Sequence, residues 1–372
     1  MVRSGEERIF GLDILRAAAI IFVMWSHGHI YSGHLLDVHY YRWLMWDGVG
    51  LFFVLSGFLI GGMLMRQVLD GNFDALALRR FWLRRWFRTL PLYYLVLTVL
   101  VLLYYFSRHS LPPHFLAYYM FTQNFGGPHP IFFGEAWSLA VEEWFYLLLP
   151  LSVFVALKFK GDKKKQLAFV IFFLFVIGTG IRTYKAGLKD YFADDTFGVE
   201  IMKQVITRLD SIMYGVIAAW FYLFKRPLFF AHKNKLFVFG ILLMFFSVAM
   251  LSYSRFFHNY LYYSFAGLSV MCLLPALQSL QEAKGIAAKG IRWISKISYA
   301  LYLSNFMLVQ RGILPIVQKR IHLETKTENL LMLLLFWFFS LLLAALFYRF
   351  WELPFLKIRD RITDLASKPE ES

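Results

Sequence analysis

Ten apolar stretches, each close to the length of a membrane-spanning helix, recur along this chain and leave little room for any other architecture. They are expected at about 10–31, 44–66, 89–107, 136–157, 167–184, 201–224, 235–254, 259–281, 296–318 and 329–351. Hydrophobic residues make up 59% of the 372, and 20% are aromatic. A mean hydropathy of +0.54 is too high for an ordinary soluble domain. The fold class read from this pattern is all-α: a polytopic membrane protein of about ten transmembrane helices around an interior polar passage. One membrane domain is expected over 1–362, followed by a short polar cytoplasmic tail over 363–372. The single cysteine, Cys272, lies in an apolar stretch, so no internal disulfide is possible. The formal charge of +15 falls in the loops between spans, which marks membrane lipids rather than nucleic acid as the partner. With the N-terminus cytoplasmic, the inner loops hold about 25 Lys/Arg against about 10 outside, which puts both termini inside.

The first stretch, GLDILRAAAIIFVMWSHGHIY from Gly11 to Tyr31, carries Asp13, Arg16, His27 and His29. Ionisable residues in a span face a bundle interior or a water-filled cavity and mark a site. Arg16 and His27 are eleven positions apart, so on a helix they stand roughly 20° apart around the axis and about 16 Å apart along it. One face thus presents a fixed cation at one level and an imidazole near the other end. His34 and His39 follow in the next loop. The two-residue spacing of His27 and His29 sends them to different sides, so no metal site is expected.

Further polar features punctuate the other stretches. Arg79, Arg80, Arg84, Arg85 and Arg88 precede Pro91; such a cluster anchors to anionic headgroups or clamps phosphate, and Arg85 and Arg88 share a face if helical. The long outer loop from 107 to 135 carries His129 and the pair Gln123–Asn124, and its length suits a binding mouth. In EAWSLAVEEWFYLLLP, Ser138, Glu142 and Tyr146 form one polar stripe at i,i+4 spacing, with Glu143 pointing elsewhere. Arg208 and Asp210 interrupt the sixth stretch and diverge on a helix, so each needs another partner. Gly57, Gly61 and Gly62 allow close helix approach, and Ser56 is expected to serve packing.

Taken together, these blocks resemble the integral-membrane acyltransferase family 3, whose members O-acylate bacterial surface polysaccharides and related acceptors. The resemblance rests on LDILR with the Arg16–His27 spacing, GVGLFFVLSGFLI, RRWFRTLPLYY and WSLAVEEWFYLLLP, with weaker support from RLDSIMYG, ISYALYLSN and YRFWELP. It implies acyl-CoA, commonly acetyl-CoA, as co-substrate, no permanently bound cofactor, a glycan or lipid-linked sugar as acceptor, and the bacterial inner membrane as location. His27 is then the base that takes the acceptor hydroxyl's proton, with Glu142 orienting its ring. Substrate-binding candidates are Arg16, Arg84, Arg85, Arg88, Arg208, Tyr146 and Asn124. Asn305 stands where many members have a histidine and is given no catalytic part; Trp144 stands where glutamine is common. The rival reading is a secondary transporter that uses Arg16, His27, Glu142 and Arg208 as a substrate or proton path.

Overall fold

A computed structural model describes residues 8–32, 46–71, 73–191, 196–321 and 325–365. His34, His39 and the tail beyond 365 lie outside them. Among the described residues every regular element is helical, and nine helices are long and apolar enough to cross a bilayer. With one shorter apolar helix they make α1 Phe10–Ser32, α2 Gly48–Leu69, α3 Ala75–Arg108, α4 Ala136–Ala156, α5 Lys163–Ala186, α6 Leu209–Phe224, α7 Lys233–Met250, α8 Phe257–Ser279, α9 Ile286–Gln318 and α10 Lys326–Ile362. The protein is an integral, multi-pass membrane protein.

Four elements differ from the expected spans, α10 by running on to Ile362, eleven residues past the expected end. α3 begins fourteen residues early because its arginines lower hydropathy without opposing helix formation. The Asp74 carboxylate caps it by accepting from the Ala77 N–H at 2.7 Å. At 34 residues α3 is about 51 Å long, well beyond a hydrocarbon core of about 30 Å, so its arginine-bearing turns reach the interface. α6 is shorter than expected, 16 residues from Leu209, because a wide π-type turn, Gly198–Met202, and a buried polar loop precede it. α9 is interrupted by a second wide turn over Asn305–Ile313.

α2 is the centre of the bundle, the most buried of the nine spans. It lies directly against α6, and glycine on both sides makes this possible. A methyl group on Gly57 would stand 2.0 Å from the Ile212 carbonyl oxygen, and one on Gly215 would stand 1.9 Å from that of Val54.

The buried charges find separate partners. Arg208 donates to Asp47 at 3.1 Å, and Arg182 to Asp210 at 2.8 Å, both inside the bundle. Asp13 is matched by Arg8 at 2.7 Å and by the Ser295 hydroxyl at 2.7 Å, which leaves Arg16 on the same helix without a carboxylate. The polar interior that remains is divided between two cavities stacked along α1.

Candidate active site

The first cavity, about 120 Å³, is lined by Arg16 of α1, Ser56 of α2, Arg85, Arg88 and Thr89 of α3, Ser138, Glu142 and Tyr146 of α4, and Ser298, Tyr299 and Tyr302 of α9. Helical spacing explains the set: 85, 88 and 89 share one face of α3, and 138, 142 and 146 share one face of α4. Glu142 accepts from the Ser56 hydroxyl at 3.0 Å and from the Tyr146 hydroxyl at 2.9 Å. The Arg85 guanidinium lies 5.6 Å from the centre of the Tyr146 ring. Among the described residues, Arg16, Arg85 and Arg88 make no hydrogen bond or ion pair. Three guanidiniums share this cavity with one carboxylate, Glu142, so positive charge and unused donors remain that suit an anionic ligand. Ser56, expected to serve packing, faces this cavity instead. Glu143 turns away and accepts from Thr89 Oγ1 at 2.7 Å.

The second cavity is roomier, about 400 Å³, and lies beyond Val49 and Tyr302, which line both. It exposes His27 of α1, Asp47 at the head of α2, Glu135 just before α4, Lys203 from the loop before α6, Tyr262 and Tyr263 of α8, and Phe306 of α9. His27 is held from three directions by the wide turn in α9. Its Nδ1 pairs with the Asn305 side-chain oxygen, its ring lies tilted against Phe306 with centroids 4.7 Å apart, and its carbonyl accepts from the Gln310 amide at 2.5 Å. The Asn305 amide nitrogen donates to the Leu301 and Tyr302 carbonyls at 2.7 and 3.0 Å, so its oxygen must face the imidazole. The network therefore assigns the proton to Nδ1 and leaves Nε2 as a lone pair with no partner among the described residues.

Two sequence expectations are corrected here. Glu142 does not orient His27. It opens on the arginine cavity, seven residues or about 10 Å down α4 from Glu135, the carboxyl that shares the His27 cavity. Asn305, given no catalytic part, is the residue that hydrogen-bonds the imidazole.

The other candidates divide. Arg16, Arg85, Arg88 and Tyr146 line the first cavity. Arg84, half-buried, is not among its lining residues. Arg208 is fully buried beneath the second cavity, where its guanidinium covers the Tyr263 ring at 3.6 Å and holds Asp47. Asn124 frames the mouth rather than lining it: its amide donates to the Trp137 carbonyl at 3.1 Å and the Lys203 carbonyl at 2.5 Å. His129 donates from Nε2 to the Phe133 carbonyl at 3.0 Å, and burial lowers its pKa to about 4, so it stays neutral as a strut of the loop. Glu135 and Lys203 escaped the sequence reading. The first resembles a helix cap, and the second sits in a loop whose approach to His27 no local pattern announces.

Comparison with known proteins adds the family. The family model described as "Acyltransferase domain" matches residues 9–349. The chain belongs to this acyltransferase family. Its relatives include the peptidoglycan O-acetyltransferase OatA of Listeria monocytogenes, 25% identical over 95% of this chain and 57% of that protein. The O-acetyltransferase OatA of Staphylococcus aureus is 27% identical over 93% of this chain and 57% of its own length. A putative peptidoglycan O-acetyltransferase, YrhL, of Bacillus subtilis is 30% identical over 52% of this chain and 32% of its own. The chain thus spans little more than half the length of the first two relatives. No solved structure matches it.

Proposed function

We propose that this acyltransferase-family chain moves an acyl group, acetyl in the simplest case, from a cytosolic CoA thioester to a hydroxyl of a cell-envelope glycan or lipid-linked sugar. The observation that carries the reading is the pairing of a cavity lined by three arginines and one carboxylate with a second cavity lined by an imidazole whose Nδ1 is engaged by Asn305, Val49 and Tyr302 lining both. Arg16, Arg85 and Arg88 hold the phosphates of the donor. The bias of Lys and Arg toward the same side supports a cytoplasmic location for that end and for both termini. Glu142, with Ser56 and Tyr146, positions the donor's pantetheine arm through hydrogen bonds. The thioester then lies beyond Val49 and Tyr302, beside His27.

The acceptor hydroxyl oxygen attacks the thioester carbon while His27 Nε2 takes its proton. The Nδ1–H···Asn305 bond keeps the ring in the tautomer that can do so. Collapse of the tetrahedral intermediate breaks the carbon–sulfur bond, and the imidazolium returns the proton to the leaving thiolate. The relatives' names, peptidoglycan and O-acetyltransferase, support a glycan acceptor and an acetyl donor.

The test is a purified-protein assay in nanodiscs with radiolabelled acetyl-CoA and peptidoglycan or lipid-linked muropeptide. Label transfer with stoichiometric thiol release is expected, and His27→Ala lowers it by at least about 10²-fold without loss of acetyl-CoA binding. Uptake of substrate into proteoliposomes with no acyl consumption would establish the transporter reading in its place.

A further inference from the structure

Among the described residues, Glu135 is the one carboxyl that shares the His27 cavity without a cation bonded to it, and its surroundings give its two oxygens different jobs. Its side chain is 2% exposed. Oε1 accepts the Met307 backbone N–H at 2.9 Å. That N–H is available because the wide turn over Asn305–Ile313 displaces it from ordinary helical pairing. Oε2 is buried and has no partner. A buried polar atom left unmatched is destabilising by an amount comparable to a lost hydrogen bond, so native proteins rarely keep one without a use. The cavity beside it is where the proposed chemistry puts the acyl group.

We propose that Glu135 is a further catalytic residue, donating a hydrogen bond from Oε2 to the thioester carbonyl oxygen as that oxygen gains charge. This rests on the acyltransferase reading and adds the electrophilic half of the site. When the acceptor oxygen bonds to the acyl carbon, its proton goes to His27 Nε2 and the carbonyl π pair moves onto oxygen. The Oε2–H holds that oxyanion until the pair returns and the carbon–sulfur bond breaks. Glu135 keeps its own proton throughout. An amide N–H fixed on Oε1 makes that oxygen the acceptor and leaves the proton to Oε2.

Burial also favours the neutral acid, raising the Glu135 pKa to about 8. The charged and titratable groups that face it are His27 from α1, Asp47 from the head of α2, Lys203 from the loop before α6, Tyr262 and Tyr263 from α8, and Tyr302 from α9. Lys203 is the fixed cation among them, and burial lowers its own pKa as well.

The sign follows. Below about pH 8 the donor proton is present; as pH rises through the Glu135 pKa it is lost, so kcat falls on the alkaline side.

The experiment compares wild type, Glu135→Gln and Glu135→Ala in nanodiscs, with kcat and the KM for acetyl-CoA measured from pH 6 to 10. Glutamine keeps the Oε1 acceptor for Met307 and presents N–H groups that do not titrate. The expected result is a drop in kcat of about 10²-fold for alanine, with KM for acetyl-CoA unchanged because the arginine cavity is intact. Glutamine should recover part of that loss and flatten the alkaline limb. Retention of the wild-type limb in Glu135→Gln, or near-wild-type kcat in Glu135→Ala, would overturn the inference. An effect of alanine on KM alone would do the same, since it would mark a merely structural residue. Wild-type protein that consumes no thioester at any pH would instead bring down the acyltransferase reading beneath it.

Discussion

At the scale of single residues, the site depends on which atoms are already committed and which are left open. His27 Nδ1 is committed to Asn305 and Nε2 is open; Glu135 Oε1 is committed to Met307 and Oε2 is open. Asn305→Ala should therefore lower kcat by about tenfold or more while leaving KM for acetyl-CoA unchanged, because the tautomer loses its keeper and the arginine cavity is untouched. Steady-state kinetics on the purified variant check this, and an unchanged kcat would assign Asn305 to packing alone. His27 was legible in the sequence, since an imidazole within an apolar run must be accommodated somewhere. Its partner was not, because the contact spans 278 positions and an asparagine within a helix more often serves interhelical packing. Glu135 was hidden for a different reason. A carboxylate in front of a helix reads as a cap, and only the turn of α9 packed against it gives its oxygens unequal roles.

At the scale of elements, the helices form where apolar periodicity says they should, and the differences arise where a polar residue interrupts a span. Arginines ended the hydropathy of α3 but not its helix, so the cluster is part of one rigid rod and Arg85, Arg88 and Thr89 keep their register along the cavity wall. The loop between α3 and α4 is pinned to this scaffold by side chains. Trp144 donates to the Phe121 carbonyl at 2.9 Å, and Asn124 ties the same loop to the start of α4 and to Lys203. The α2–α6 contact is a close helix crossing. Gly215→Val adds atoms where a methyl group would already stand 2.5 Å from the Phe58 amide nitrogen. We expect a loss of about 1–3 kcal/mol or more, read as a lower thermal midpoint in detergent. A midpoint equal to wild type would show that the two helices have room to part.

At the scale of the molecule, the proposed reaction has the two cavities divide the labour between holding a charged donor and carrying out the transfer. Val49→Trp should fill their junction. Acetyl-CoA should still bind, by equilibrium binding to the purified variant, while transfer to the acceptor falls about 10²-fold. Transfer at the wild-type rate would mean that the acyl group reaches His27 by another route. The alignment of Arg16 and His27 on α1 announced in the sequence that a polar path runs along the bundle axis, but not that it has a waist. That waist consists of an aliphatic and an aromatic side chain, neither of which carries any sequence signature of function. Its consequence reaches past catalysis. A water column open from one face of the membrane to the other would discharge the ion gradients on which the cell runs. Val49 and Tyr302 line both cavities, and the Tyr302 hydroxyl is tied to Ser138 at 2.6 Å, so the proposed route for a thin acyl arm need not be an open water column.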